Sequence, residues 1–224
     1  MPRSLRNHTE RLNHFIKNVT VYPVSCEKLG NGRSDVEWLD GVIRGGAQIV
    51  QLRDKISSDR TLLAKAKAFR QKTREAGILF LVNNRIDIAL LADADGVHLG
   101  NSDIPAQDAR QLAPEWIIGV SANTKEQAAQ AKEAGASYYN IGPIFATKTK
   151  AGLVEFIGPE AIQSYSNESS LPFTVMGGIK REHIGALTAE GAKRLAVVTA
   201  LTMAPDLPAE TAQWISDITG STKP

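Results

Sequence analysis

The chain holds a single cysteine, Cys26, so no disulfide can form within it, and that scarcity fits a reducing, cytoplasmic setting. Cys26 follows an apolar run and is expected to be a buried, inert thiol. Long hydrophobic runs are also missing: nothing approaches the roughly 18 apolar residues of a membrane span. Residues 1–17 carry Arg3, Arg6, Arg11 and Lys17 without an apolar stretch, which argues against a secretory signal. A tail or a leading helix packed on the domain is the expectation there. Charge of one sign is lacking as well. The 26 basic and 24 acidic residues leave a net charge of +2, so neither nucleic acid nor a membrane surface is expected as a partner. Finally, no Gly-x-Gly-x-x-Gly occurs, and Ser25-Cys26-Glu27-Lys28 follows the first apolar segment, which counts against a doubly wound dinucleotide fold.

What is present is an ordinary globular composition, 42% apolar and 22% charged over 224 residues, enough to bury a core. No Pro/Ser-rich linker divides it, so one domain over residues 18–220 is expected after an N-terminal extension over 1–17. A local phrase recurs: a helical stretch, a small or glycine-containing break, then a short apolar strand. It ends at 45–52, 94–99, 134–141 and 190–198, marked by Ala47, Ala94, Ala136 and Ala192. Each interval exceeds the roughly 30 residues of one βαβ unit and fits two short βα units. The intervening strands read at 19–25, 77–82, 116–120 and 172–176, with helices at about 35–44, 60–76, 106–112 and 159–165. Short apolar runs alternating with helices predict parallel strands buried on both faces. Eight units close into an α/β fold, a single (β/α)8 TIM barrel.

In such a barrel the chemistry sits after the strands. Strand two delivers Gln51, Arg53 and Lys55 in alternation, with Asp54 available for a rim salt bridge. Strand three delivers Asn83, Asn84 and Arg85. Strand four delivers His98, which reads equally as a satisfied core group, then Gly100, Asn101 and Asp103. Strand five delivers Ser121, Asn123 and Thr124, residues that also suit a helix N-cap. Strand six leads into Gly142-Pro143-Ile144-Phe145-Ala146-Thr147-Lys148-Thr149-Lys150, a cluster of hydroxyls and ammoniums suited to a phosphate or pyrophosphate. Strands seven and eight deliver Met176-Gly177-Gly178 and Val198-Thr199, the recurrent phosphate position of these barrels. The mouth thus holds two anion sites: glycine amides after strands seven and eight, and the cations Arg53, Lys55 and Lys150. Asp103 is a candidate ligand for a hard divalent cation beside the latter.

The phrases Val50-Gln51-Leu52-Arg53-Asp54-Lys55, residues 82–90 (VNNRIDIAL), Ala94-Asp95-Gly96-Val97-His98-Leu99-Gly100, Gly119-Val120-Ser121, residues 142–150 (GPIFATKTK) and Gly177-Gly178-Ile179 resemble, in this order, the thiamine-phosphate synthase family. The resemblance covers about 19–201 and implies a Mg2+-dependent transferase. Its reaction joins 4-amino-2-methyl-5-hydroxymethylpyrimidine pyrophosphate to 4-methyl-5-hydroxyethylthiazole phosphate, giving thiamine phosphate and pyrophosphate by a dissociative, carbocation-like route. It further implies that Arg53, Lys55, Asn83 and Lys150 hold pyrophosphate, with Mg2+ at Asp103 and Asn84. Gln51 and Ser121 would face the pyrimidine, and Thr147, Thr149, Gly178, Val198 and Thr199 the thiazole phosphate, beside the Gly177 already placed at the glycine-amide site. Three positions depart from the family's pattern: Asn84 where aspartate is usual, Asn123 where histidine is frequent, and Thr199 where serine is usual. Asn84 removes a negative charge from the metal position. The missing aspartate favours a related thiazole tautomerase, while the missing histidine counts against it. A non-catalytic relative that binds thiazole or thiamine phosphate is the third reading. Partners are therefore expected to be small-molecule substrates, and assembly into a homo-oligomer stays open.

Overall fold

Eight short strands form one parallel sheet that runs β1-β8-β7-β6-β5-β4-β3-β2. They are β1 (Val21–Pro23), β2 (Ile49–Leu52), β3 (Leu79–Asn83), β4 (Gly96–Leu99), β5 (Ile117–Ala122), β6 (Tyr138–Ile141), β7 (Phe173–Met176) and β8 (Leu195–Val197). The computed structural model describes residues 5–30, 32–146 and 156–222. The sheet curls on itself, and the seam between β1 and β2 is held by the parallel bridge Val24–Gln51 and by Ser25 N–H donating to Gln51 O at 2.9 Å. The barrel read from the alternation is the one observed.

Between strands run α2 (Asp35–Arg44), α3 (Asp59–Ala76), α4 (Ile86–Leu91), α5 (Ala106–Leu112), α6 (Lys125–Gln130), α7 (Ala161–Ser166) and α8 (Ile184–Ala189); α9 (Thr199–Thr202) and α10 (Leu207–Ser221) follow β8. Local chemistry places their ends. Ser34 and Glu37 close a capping box at α2, and Gly77, at φ 70°, provides the left-handed turn that ends α3. Alternate strand residues such as Val50, Phe80, Ile118 and Tyr139 pack outward against the helices, where Trp38 and Trp214 are fully buried. Burying each such side chain contributes about 1.5–3 kcal/mol.

The other alternate residues, Ile49, Leu79, Leu81, Ile117 and Tyr138, fill the barrel interior. Gly119 carries no side chain because a Cβ there would stand 2.1 Å from Cζ of Tyr138. The amino-terminal end of the barrel is closed by a helix that precedes β1, α1 (His8–Asn18). Its Phe15 is wholly buried, with its ring 4.6 Å from that of Tyr138. Arg194 holds this helix by donating to Phe15 O (3.1 Å) and Ile16 O (2.7 Å), while Arg11 donates to Glu115 O at 2.7 Å and meets Asp95 at 3.3 Å. Burial pulls the Arg194 guanidinium down to about 10. Cys26 differs from expectation: it is half-buried, because the chain leaves the barrel there into the 3₁₀ turn Glu27–Leu29. Among the described residues no helix is long and apolar enough to cross a membrane.

Candidate active site

At the carboxyl ends of the strands lies a cavity of about 510 Å3. Its floor is polar, made by Gln51, His98, Ser121 and Asn140, which point inward beyond the apolar interior. The segments after β2, β3 and β4 bring Arg53, Lys55, Asn83, Asn84 and Asp103 to one side. Gly142, Pro143, Gly177, Gly178, Val198 and Thr199 come from β6, β7 and β8 on the other. Every residue given a role by the family resemblance and lying within the described segments lines this one cavity, whereas Arg85 and Thr124 do not. Thr147, Lys148, Thr149 and Lys150 lie outside the described residues.

Arg53 is anchored at its backbone, where its N–H donates to Ser25 Oγ at 3.0 Å. Asp54, available in sequence for a rim salt bridge, takes Lys65 as its ion-pair partner. Asp54 turns away, accepting from Ile56 N and Ser57 N at 3.0 Å each and from Lys65 Nζ at 2.7 Å. Burial alone would raise this carboxyl, but the Lys65 and Ser57 hydrogen bonds outweigh it and hold it well below the usual range. Lys65 also meets Asp35 at 3.0 Å and contacts Glu27. Asp35 is pushed up to about 6 by burial, against the pull of Lys65. Glu27, Asp35 and Asp54 bring their oxygens close together, but the Lys65 ammonium already supplies the cation there and none of the three lines the cavity.

Asn84 adopts a left-handed backbone, φ 65°, and its N–H donates to His98 O at 2.9 Å. Its Nδ2 donates to Asp103 Oδ1 at 2.7 Å, while Gly100 N–H donates to Asp103 Oδ2. A single carboxylate, a carboxamide beside it and open cavity for water and phosphate oxygens suit Mg2+, which commonly meets protein through one or two carboxylates. Asn84 would have to turn its carboxamide to offer Oδ1. Arg85, also delivered by strand three, pairs instead with Asp59 and Asp87 at 2.6 Å outside the mouth.

His98 is a satisfied group that also forms floor: it is 7% exposed, with Nδ1 3.0 Å from the Tyr138 hydroxyl and Nε2 3.2 Å from Ser121 Oγ. The helix cap after strand five is Thr124 with Gln127, which leaves Ser121 to the cavity. Asn123 is a strut: its Oδ1 accepts from Asn101 at 2.9 Å, its Nδ2 donates to Gly142 O, and its carbonyl accepts from Tyr165 at 3.0 Å. Opposite, Gly177 and Gly178 sit at φ 111° and 60°, and a Cβ on Gly178 would lie 2.3 Å from Ala146 O. Only glycine fits there. Asn140 escaped the sequence reading although its spacing from Tyr138 places it inside; its Oδ1 accepts from Thr174 at 2.7 Å.

A family profile described as thiamine monophosphate synthase matches residues 21–201. The thiamine-phosphate synthase of Chlorobium luteolum is 41% identical over 202 residues, covering 90% of this chain and 95% of its own. That of Shouchella clausii is 38% identical over 195 residues, covering 87% and 93%. The structure of thiamine phosphate pyrophosphorylase from Pyrococcus furiosus superposes with a TM-score of 0.84 at 30% identity, covering 92% of this chain and 98% of that one. The profile spans the whole strand array and the relatives match along nearly their full length, so the chain belongs to the thiamine-phosphate synthase family.

Proposed function

We propose that this mouth binds 4-amino-2-methyl-5-hydroxymethylpyrimidine pyrophosphate beside 4-methyl-5-hydroxyethylthiazole phosphate and condenses them to thiamine phosphate and pyrophosphate. The methylene C–O bond breaks first, and its electron pair leaves with pyrophosphate. The thiazole nitrogen then donates its lone pair to the pyrimidine methylene cation, forming the C–N bond. Such a route asks for charge neutralisation at the leaving group and exclusion of water, and little from a general base.

Arg53, Lys55 and Lys150 serve as the cations that receive pyrophosphate, with Asn83 donating beside them. Asp103, assisted by Asn84, is the position for Mg2+, which when bound neutralises charge on the departing pyrophosphate. The Gly177-Gly178 backbone, Val198, Thr199, Thr147 and Thr149 seat the thiazole phosphate, and Gln51 and Ser121 face the pyrimidine. The supporting observation is the convergence of Arg53, Lys55, Asn83 and Asp103 on one cavity wall, opposite Gly177 and Gly178. A tautomerase would need a proton carrier where Asn123 serves as a strut. The test is an assay of the purified chain with both substrates across a Mg2+ series. Thiamine phosphate should form, and Asp103→Ala should abolish it with the melting temperature retained. No product at any Mg2+ level, despite binding of the thiazole phosphate, would overturn the reading.

A further inference from the structure

A run of hydrogen bonds crosses the barrel interior from Gln51 to Ser121 through Tyr22 and Tyr138, which lie beneath the cavity, and His98, which forms part of its floor. Gln51 Nε2 donates to the Tyr22 hydroxyl at 2.8 Å, and the Tyr22 and Tyr138 hydroxyls are 3.1 Å apart. Tyr138 continues to His98 Nδ1 at 3.0 Å, and His98 Nε2 reaches Ser121 Oγ at 3.2 Å. Tyr22 and Tyr138 are 1% and 0% exposed, away from water. Burial raises both phenols above their ordinary value, so each keeps its proton.

The proton count along this run gives it a direction. Each hydroxyl owns one hydrogen, and a buried O–H requires an acceptor. Tyr22 accepts from Gln51, so its own hydrogen goes to Tyr138. Tyr138 in turn donates to His98 Nδ1. An accepting Nδ1 leaves the hydrogen on Nε2, which donates to Ser121 Oγ. The Ser121 hydrogen is then turned to the cavity as a donor, while Gln51 faces it with Oε1, an acceptor. Reversing one link reverses them all, since any mixed order strands a buried O–H, puts two hydrogens into one bond or leaves the 3.1 Å Tyr22–Tyr138 contact with none. With one hydrogen on the His98 ring, the ends therefore differ in character.

We propose that Tyr22, Tyr138 and His98 act as positioning residues, a proton-ordered relay that makes Gln51 and Ser121 present one acceptor and one donor to the ligand. The relay selects a heterocycle that carries an N–H donor next to a ring-nitrogen acceptor. Its ordering stands on these hydrogen bonds alone; the aminopyrimidine as the ring selected rests on the function proposed above.

Tyr138→Phe cuts the relay at its centre while keeping the ring, and Tyr22→Phe cuts it one link earlier. With 15N-labelled histidine, NMR of the ligand-free protein should show His98 as the Nε2–H tautomer, and a tautomer mixture in Tyr138→Phe. In steady-state assays both Phe variants should raise the pyrimidine KM about tenfold, the scale of one lost hydrogen bond, and leave the thiazole phosphate KM within about twofold. Gln51→Ala and Ser121→Ala should be non-additive in the parent and additive in the Tyr22→Phe background. An unchanged His98 tautomer in Tyr138→Phe, or coupling that survives Tyr22→Phe, would overturn the relay. A parent chain that makes no thiamine phosphate yet shows the Nε2–H tautomer would sink the proposed function and leave the relay standing.

Discussion

The two ends of the barrel interior are built from the same strands and teach opposite lessons. At the amino-terminal end Ile49, Leu79 and Ile117 point inward and meet Phe15 of α1. Two to four residues farther along, the inward positions are Gln51, Asn83 and Ser121, and they line the cavity. One end is sealed by the chain itself and works as core. The other is polar on a buried floor, an arrangement that costs folding energy unless each group is paired, so it persists by hydrogen-bonding to itself and by meeting a ligand.

Phe15→Ala is the largest expected effect on this division. Truncating the plug should cost about 3–5 kcal/mol in denaturant unfolding while kcat/KM of the folded protein at 20 °C stays within twofold. A parallel loss of kcat/KM would mean that the sealed end supports the chemistry directly. Arg53→Ala should do the reverse, lowering kcat by about 10²–10³-fold, the scale of one lost charge-stabilising donor, with the melting temperature within about 2 °C. Steady-state kinetics and a thermal melt decide it.

Lys65→Met probes the wall beside the mouth. It strips the cation from Glu27, Asp35 and Asp54 and should cost about 3 kcal/mol at pH 7.5. The pH dependence has a definite sign. Asp35 already titrates near 6 in the fold, above its ordinary 3.8, so the folded state binds the proton more tightly than the unfolded one. The deficit should therefore shrink as pH falls from 7.5 through 6 toward 5; a deficit that grew would place Asp35 in a different environment. Asn84→Asp is the smallest change. It sets a second carboxylate against Asp103, in a left-handed backbone that aspartate tolerates. Without Mg2+ the melting temperature should fall by about 2–4 °C, and Mg2+ should restore it with half-saturation about tenfold below the parent's. No Mg2+-dependent shift would remove these two residues from the metal position.

The sequence made the open end more legible than the sealed one. Charged and amide residues directly after apolar runs flagged Arg53, Lys55, Asn83 and Asp103, because nothing else explains polar side chains where strands end. Residues 1–17 held no such signal: Arg11 and Arg194 are buried through bonds to backbone carbonyls, which composition does not reveal. Tyr22 and Tyr138 read as ordinary strand aromatics, and only tertiary contact between β1 and β6 shows their hydroxyls facing one another. Asp54 sits among the mouth cations in sequence yet pairs with Lys65, a partner that spacing alone could not name. Cys26 read as buried because the apolar run was extended past the point where the strand stops.

The cylinder has one thin place, the seam where β1 meets β2 through a single bridge at Val24 and Gln51. Gln51 belongs to that seam by its backbone and to the pocket floor by its side chain. The Gln51 amide, donating to the Tyr22 hydroxyl of β1 at 2.8 Å, therefore acts as a clasp, fastening the cylinder across the join where its own weave is thinnest.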